Sequence, residues 1–188
     1  MKKLLVYILI MVLAVVFAGL YDMLHNQISY TVSPECFTKF KFEQFGLTNS
    51  HLPERLRASL VGLLAAGWMG IPIGWLVGAV GFIHEDHRQM LRVSLWSMLL
   101  VVGSTLLFGL GGLIYGFHQT AQIDPSAYDN WYIPDNVTLL RRLLCAGYMH
   151  NSAYLGGLLA IFVAVAFHII VKVRTKTPAE KSVPPLHS

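Results

Sequence analysis

Charge is what this sequence has least of. Acidic and basic residues together fill 13% of 188 positions, against a hydrophobic share of 55%. The mean hydropathy of +0.56 lies outside the range of ordinary water-soluble domains. Residues 4–21, 58–83, 93–117 and 146–171 contain no Asp, Glu, Lys or Arg at all. Each gap is close to the ~20 residues that cross a bilayer core as a helix. None shows the two-residue alternation of a barrel strand, and backbone polar groups in hydrocarbon must be satisfied internally. The expectation is an all-α, four-helix transmembrane bundle in residues 1–172, with short extracytoplasmic cap segments and a disordered cytoplasmic tail over 173–188.

Cysteine is nearly as scarce. Cys36 and Cys145 are the two present, and neither sits in a motif that activates a thiol. A GxSxG elbow and a phosphate-cradling glycine loop are absent too, which leaves hydrolase and nucleotide-binding chemistry without support. With four spans both cysteines fall on the outer side, where a disulfide and two free thiols both remain open.

The basic residues that are present set an orientation. Lys2, Lys3, Arg88, Arg92, Lys172, Arg174, Lys176 and Lys181 fall on one side, in short segments, while Lys39, Lys41, Arg55, Arg57, Arg141 and Arg142 are spread over two longer loops. By density the termini are cytoplasmic, and the chain reads as a protein of a bacterial inner membrane. The net charge of +4 largely reflects this bias and gives no reason to invoke nucleic acid. The first twenty residues also fit a signal peptide cut after Ala18. The apolar run exceeds the ~7–15 residues of a signal core, which favours an uncleaved span.

Most of the polar sequence lies in the two outer loops. In the first, the alternation in "ISYTVS" predicts extended chain, and Ser33, Pro34 and Glu35 predict a helix start. The phenylalanines of "FTKFKFEQF" fit either a segment lying on the membrane surface or packing on the helix tops. In the second loop, Tyr128, Trp131 and Tyr132 suit an interfacial belt, and Asp135 or Asn136 can cap the helix that enters the fourth span. Asn136 also begins a glycosylation sequon, a short and common match.

Small residues recur every four positions at Ala66, Gly70, Gly74 and Gly78, and a shorter stripe follows at Gly109, Gly112 and Gly116. Such stripes let helix backbones approach closely in lipid. The tight "HEDHRQM" turn suggests that the second and third spans form an antiparallel pair. The stripe serves packing inside the bundle, or else a homo-oligomer contact or a moving hinge. Pro72 should bend the second span.

Polar residues gather at the outer ends of the spans. Asp22, His25 and Asn26 share one face if the first helix continues past the membrane. His150 and Asn151 lie at the matching level of the fourth span with Tyr154 one turn deeper, and His118 closes the third. Convergence of His25, His118 and His150 with Asp22 would make a site for copper, zinc or iron, with Asn26, Glu35, Asn151 and Tyr154 in support. Bland hydrogen bonding of helix ends accounts for the same residues. On the cytoplasmic side, His84, Glu85, Asp86 and His87 read as a solvated turn. His150 and His168 share a face about 27 Å apart, as a pair of stacked haems would require. The functional expectation is a redox or metal-handling membrane protein. A structural or assembly subunit of a larger membrane complex is the alternative, and so is a transporter component, which the lack of charge in the span centres disfavours.

Overall fold

The computed structural model describes residues 1–180, and they are helical wherever they are regular. Five long elements carry the fold: α1 (Lys2–Val32), α2 (Glu54–Gly67), α3 (Gly70–Gly81), α4 (His87–Gln119) and α5 (Leu140–Glu180). Among the described residues, α1, α4 and α5 are each long and apolar enough to cross a membrane, and α2 with α3 makes a fourth span if the bent pair counts as one.

The bend between α2 and α3 is 47°, and Pro72 stands beside it. Pro72 has no amide hydrogen, and its ring crowds the carbonyl four residues earlier. That carbonyl belongs to Trp68, where α2 ends. Trp68 O instead accepts from Ile71 N at 3.2 Å, in a tightened turn.

Two of the sequence expectations end differently. The "ISYTVS" stretch is not extended, because α1 runs unbroken to Val32 and stops where Ser33 takes an extended backbone and caps the next turn through Cys36 N. At the other end of the chain α5 continues to Glu180, so residues 173–180, expected to be disordered, are helical. Residues 181–188 lie outside the described residues.

The antiparallel pair of second and third spans is also not the main contact. α1 packs along both limbs of the bent pair, and α4 pairs with α5. Glycine placement explains this. A methyl group on Gly62 would lie 2.5 Å from the Asp22 carbonyl, one on Gly74 would lie 2.9 Å from Met11 Cα, and one on Gly70 would collide with Val15. Gly78 faces the Tyr7 ring. The long stripe is therefore the seat of α1, with Ala66 lining the cavity described below. The second stripe seats α5: Gly112 lies against Ser152, and Gly116 against Tyr148 and Cys145.

A small cap closes one end. Its turns (Pro34–Cys36, a π turn at Phe37–Lys41, and Phe42–Gln44) bury Phe37 and Phe42 against Ala58, Val61, Leu143 and Ala146. These two rings therefore pack on the helix tops, while Phe40 stacks on Tyr132 with centroids 4.8 Å apart. The cap also starts α5. Glu35 accepts from Leu139 N (2.8 Å), Thr138 N (3.1 Å) and Thr138 Oγ1 (2.6 Å). Asp135 and Asn136 do not start it, since α5 begins only at Leu140.

Candidate functional site

Because α1 continues beyond its apolar run, Asp22, His25, Asn26 and Ser29 form one stripe facing the bundle interior. His25, Asn26 and Ser29 are buried. Asn26 Nδ2 donates to Ala58 O at 3.1 Å, which ties this stripe to the first turns of α2. Gly62 lets α2 reach the backbone of Asp22, and Gly109 on α4 leaves room for His25, whose Nε2 would lie 3.2 Å from an added methyl.

α5 brings His150 to the same place. The rings of His25 and His150 meet edge to face with centroids 4.7 Å apart. His25 Nδ1 lies 3.5 Å from Asp22 Oδ1, too long for a good hydrogen bond. One ligand atom from each of Asp22, His25 and His150 falls within 4.8 Å of the others. Both nitrogens of the buried His25 ring lack a hydrogen-bond partner. An unsatisfied buried polar group costs about 1–3 kcal/mol, a cost that a ligand on this imidazole would relieve.

His150 is better served. Its Nε2 lies 2.9 Å from Ser29 Oγ and 3.0 Å from Lys41 Nζ. Burial pushes the Lys41 amine below its ordinary value of 10.5, and its Nζ also lies 5.2 Å from the centre of the Phe37 ring. Beside the cluster is a cavity of about 80 Å³, bordered by Asp22, His25, His150, Tyr21 and Tyr154, with Met69 and Met98 adding to its apolar wall.

The structure brings Asp22, His25 and His150 together and leaves His118 apart from them. Gly112 and Gly116 turn one face of α4 onto α5, and His118, two residues on, lies about 200° round the helix from Gly116. It is exposed and outside the cluster. Of the supporting residues, Asn26 holds α1 to α2, Tyr154 borders the cavity, and Asn151 is exposed on a neighbouring groove. Glu35 is not at the cluster; it clamps the start of α5. Lys39 at 2.6 Å, Thr138 and the Leu139 amide hold its carboxyl down at about 2. Glu54 accepts from Tyr30 OH, and His51 is exposed.

Ser29 and Lys41 escaped the sequence reading. Ser29 follows His25 by four residues and belongs to the same stripe, a signal hidden once residues 28–32 are taken as extended. Lys41 lies among the phenylalanines of "FTKFKFEQF", where nothing in the spacing marks its amine as a partner of His150. Cys36 and Cys145 are free and buried, Cys145 Sγ lying 3.4 Å from Thr120 Oγ1.

At the opposite end His84 is buried, unlike Glu85 and Asp86 beside it. Its Nε2 lies 3.0 Å from His168 Nδ1. Lys3 Nζ donates to the His84 carbonyl at 2.5 Å, and Asp86 caps α4 through Arg88 N and Gln89 N. The turn is thus solvated on one side and packed on the other. Comparison of the chain with protein-family models, curated proteins and solved structures finds no match.

Proposed function

We propose that this is a multi-pass membrane protein, with its termini in the cytoplasm, that holds one divalent transition-metal ion between Asp22, His25 and His150 near the outer membrane surface. The observation that carries the reading is the buried His25 ring, with neither nitrogen hydrogen-bonded, inside a cluster that already contains a second imidazole and a carboxylate. Two histidines and one carboxylate are a donor set for zinc or non-haem iron that leaves coordination positions open. Here the open positions would face the cavity bordered by Tyr21 and Tyr154. Ligand bonds of about 2.0–2.2 Å put donor atoms about 3.4 Å apart, so the three groups must draw together from their present spacing.

Haem fits this cluster less well than a bare ion. A haem iron held by two imidazoles would set their ring centres about 6 Å apart, a metal–nitrogen bond of about 2.0–2.1 Å on each side plus about 1 Å from nitrogen to ring centre. The rings of His25 and His150 are 4.7 Å apart, and those of His84 and His168 are 5.1 Å apart.

The test is elemental analysis of the detergent-purified protein after loading with zinc or iron(II) and desalting. One ion per chain is expected in the native sequence, with loss in His25→Ala and in His150→Ala. Metal no higher in the native protein than in the double variant would overturn the reading.

A further inference from the structure

A second recess lies on the far side of His150. It is a groove of about 580 Å³ between α2, the cap and the outer part of α5. Its polar lining is Lys41, Gln44, Asn130 and Asn151, set among the rings of Phe40, Phe45, Trp131 and Tyr132. Further along α2 from its start at Glu54 the lining is apolar, with Leu64 and Trp68. These two side chains are 55% and 63% exposed, so this end of the groove opens sideways, between α2 and α5, rather than into the bundle. Among the described lining residues Lys41 carries the single formal charge, and Asp22, the carboxylate that acts on it, lines the cavity beside the cluster and not the groove.

The geometry points to an anionic phospholipid as the occupant, its headgroup on Lys41 and its acyl chain lying over Leu64 and Trp68. Three features select that chemistry. Polar groups set beside aromatic rings and an apolar lateral mouth match an amphiphile and not a soluble solute. A cation with no carboxylate beside it in the groove selects a negative headgroup over a zwitterionic one. The side-chain amides of Gln44, Asn130 and Asn151 supply donors for phosphate and glycerol oxygens.

The position also deepens the metal reading, on which this one step rests. His150 and Tyr154 border both the groove and the cavity beside the cluster. A divalent ion with Asp22 and Lys41 beside it would leave a net positive charge in a region of low dielectric, and an anionic headgroup offsets it. A bound lipid would then lie one imidazole away from the metal.

Trp68 and Trp131 line the groove, whereas Trp75 and Trp96 are not among its lining residues, which allows a direct test. In a Trp75→Phe, Trp96→Phe background, the metal-free protein is placed in phosphatidylcholine nanodiscs that carry a minor fraction of either phosphatidylglycerol or phosphatidylcholine with brominated chains. Quenching by the brominated phosphatidylglycerol is expected at about fivefold lower lipid fraction, the size of one lysine contact with an anionic lipid. Lys41→Gln should remove the preference and Lys41→Arg should keep it. Equal quenching by the two lipids, or a preference that survives Lys41→Gln, overturns the proposal. So does displacement by inorganic phosphate, which would make the ligand a soluble anion. If Lys41→Gln does not fold, the comparison of the two lipids on the protein with Lys41 intact decides alone. Because metal is absent throughout, failure of metal binding and failure of lipid preference are read separately.

Discussion

His25 and His150 stand edge to face across α1 and α5, their rings 4.7 Å apart, yet the two are stabilised unequally. Ser29 and Lys41 serve His150, while His25 has no hydrogen-bond partner. The two variants should therefore differ in the absence of metal. His25→Ala removes an unsatisfied group and opens a space, so its thermal stability should change little. His150→Ala leaves Ser29 and Lys41 facing an empty pocket and should cost about 1–3 kcal/mol. Thermal unfolding of the metal-free proteins measures both, with His118→Ala, exposed and outside the cluster, expected to match the native chain.

The glycine seat of α1 makes a steric prediction. Gly62→Ala and Gly70→Ala force α1 and the bent pair apart at places where backbone atoms, not flexible side-chain tips, are the neighbours. Each should lower stability by about 1–3 kcal/mol. Gly111 has open space around a built methyl and sits mid-helix, so Gly111→Ala should be neutral or stabilise by up to about 1 kcal/mol. Thermal melts in one detergent compare the three, and a Gly70→Ala variant as stable as Gly111→Ala would remove the seat from the account.

Much of this arrangement was legible in the sequence, and the limits were physical. Uncharged runs marked the spans because lipid tolerates little else. The i, i+3 and i+4 spacing of Asp22, His25 and Asn26 located one wall of the cluster. What the spacing could not give was the rotation of each helix about its own axis. That is why His118 was placed inside although the Gly112 and Gly116 stripe turns it outward. Partner choice escaped for a related reason: a small-residue stripe announces a close neighbour without naming it, and here the neighbour is α1. The alternation of Ile28, Tyr30 and Val32 suggested a strand, but these residues extend a helix already nucleated, which adds a hydrogen bond for each residue fixed.

Glu35 gives the cap an acid-sensitive clamp. Its carboxyl is held from an ordinary value of 4.5 down to about 2, first by Lys39 and then by Thr138 and the Leu139 amide. A carboxyl lowered by folding contributes fully above its unfolded value and loses that contribution as pH falls through the folded one. Stability should therefore decline between about pH 4.5 and pH 2 from this group. Glu35→Gln should lower stability near neutral pH and flatten that part of the profile. Melting temperature against pH for the two proteins is the measurement, and parallel profiles would show that the clamp carries no such weight.

Pro72 tests whether the bend belongs to the sequence or to the packing. Alanine there restores an amide that can donate to Trp68 O and removes the ring that crowds it. If the proline sets the 47° bend, Pro72→Ala should straighten the pair. Leu56 lies on α2 and Phe82 directly follows α3, and both are exposed, so cysteine labels placed there report the angle in a background lacking Cys36 and Cys145. At 1.5 Å per residue, full straightening lengthens their separation by about 3 Å, within reach of pulsed electron-spin distance measurements. An unchanged distance would mean that the contacts of Gly62, Gly70 and Gly74 with α1 hold the two limbs at their angle without help from the proline. The cavity beside His25 would then owe its shape to α1, because Ala66 and Met69, which line it from the bend, would keep their places without the proline.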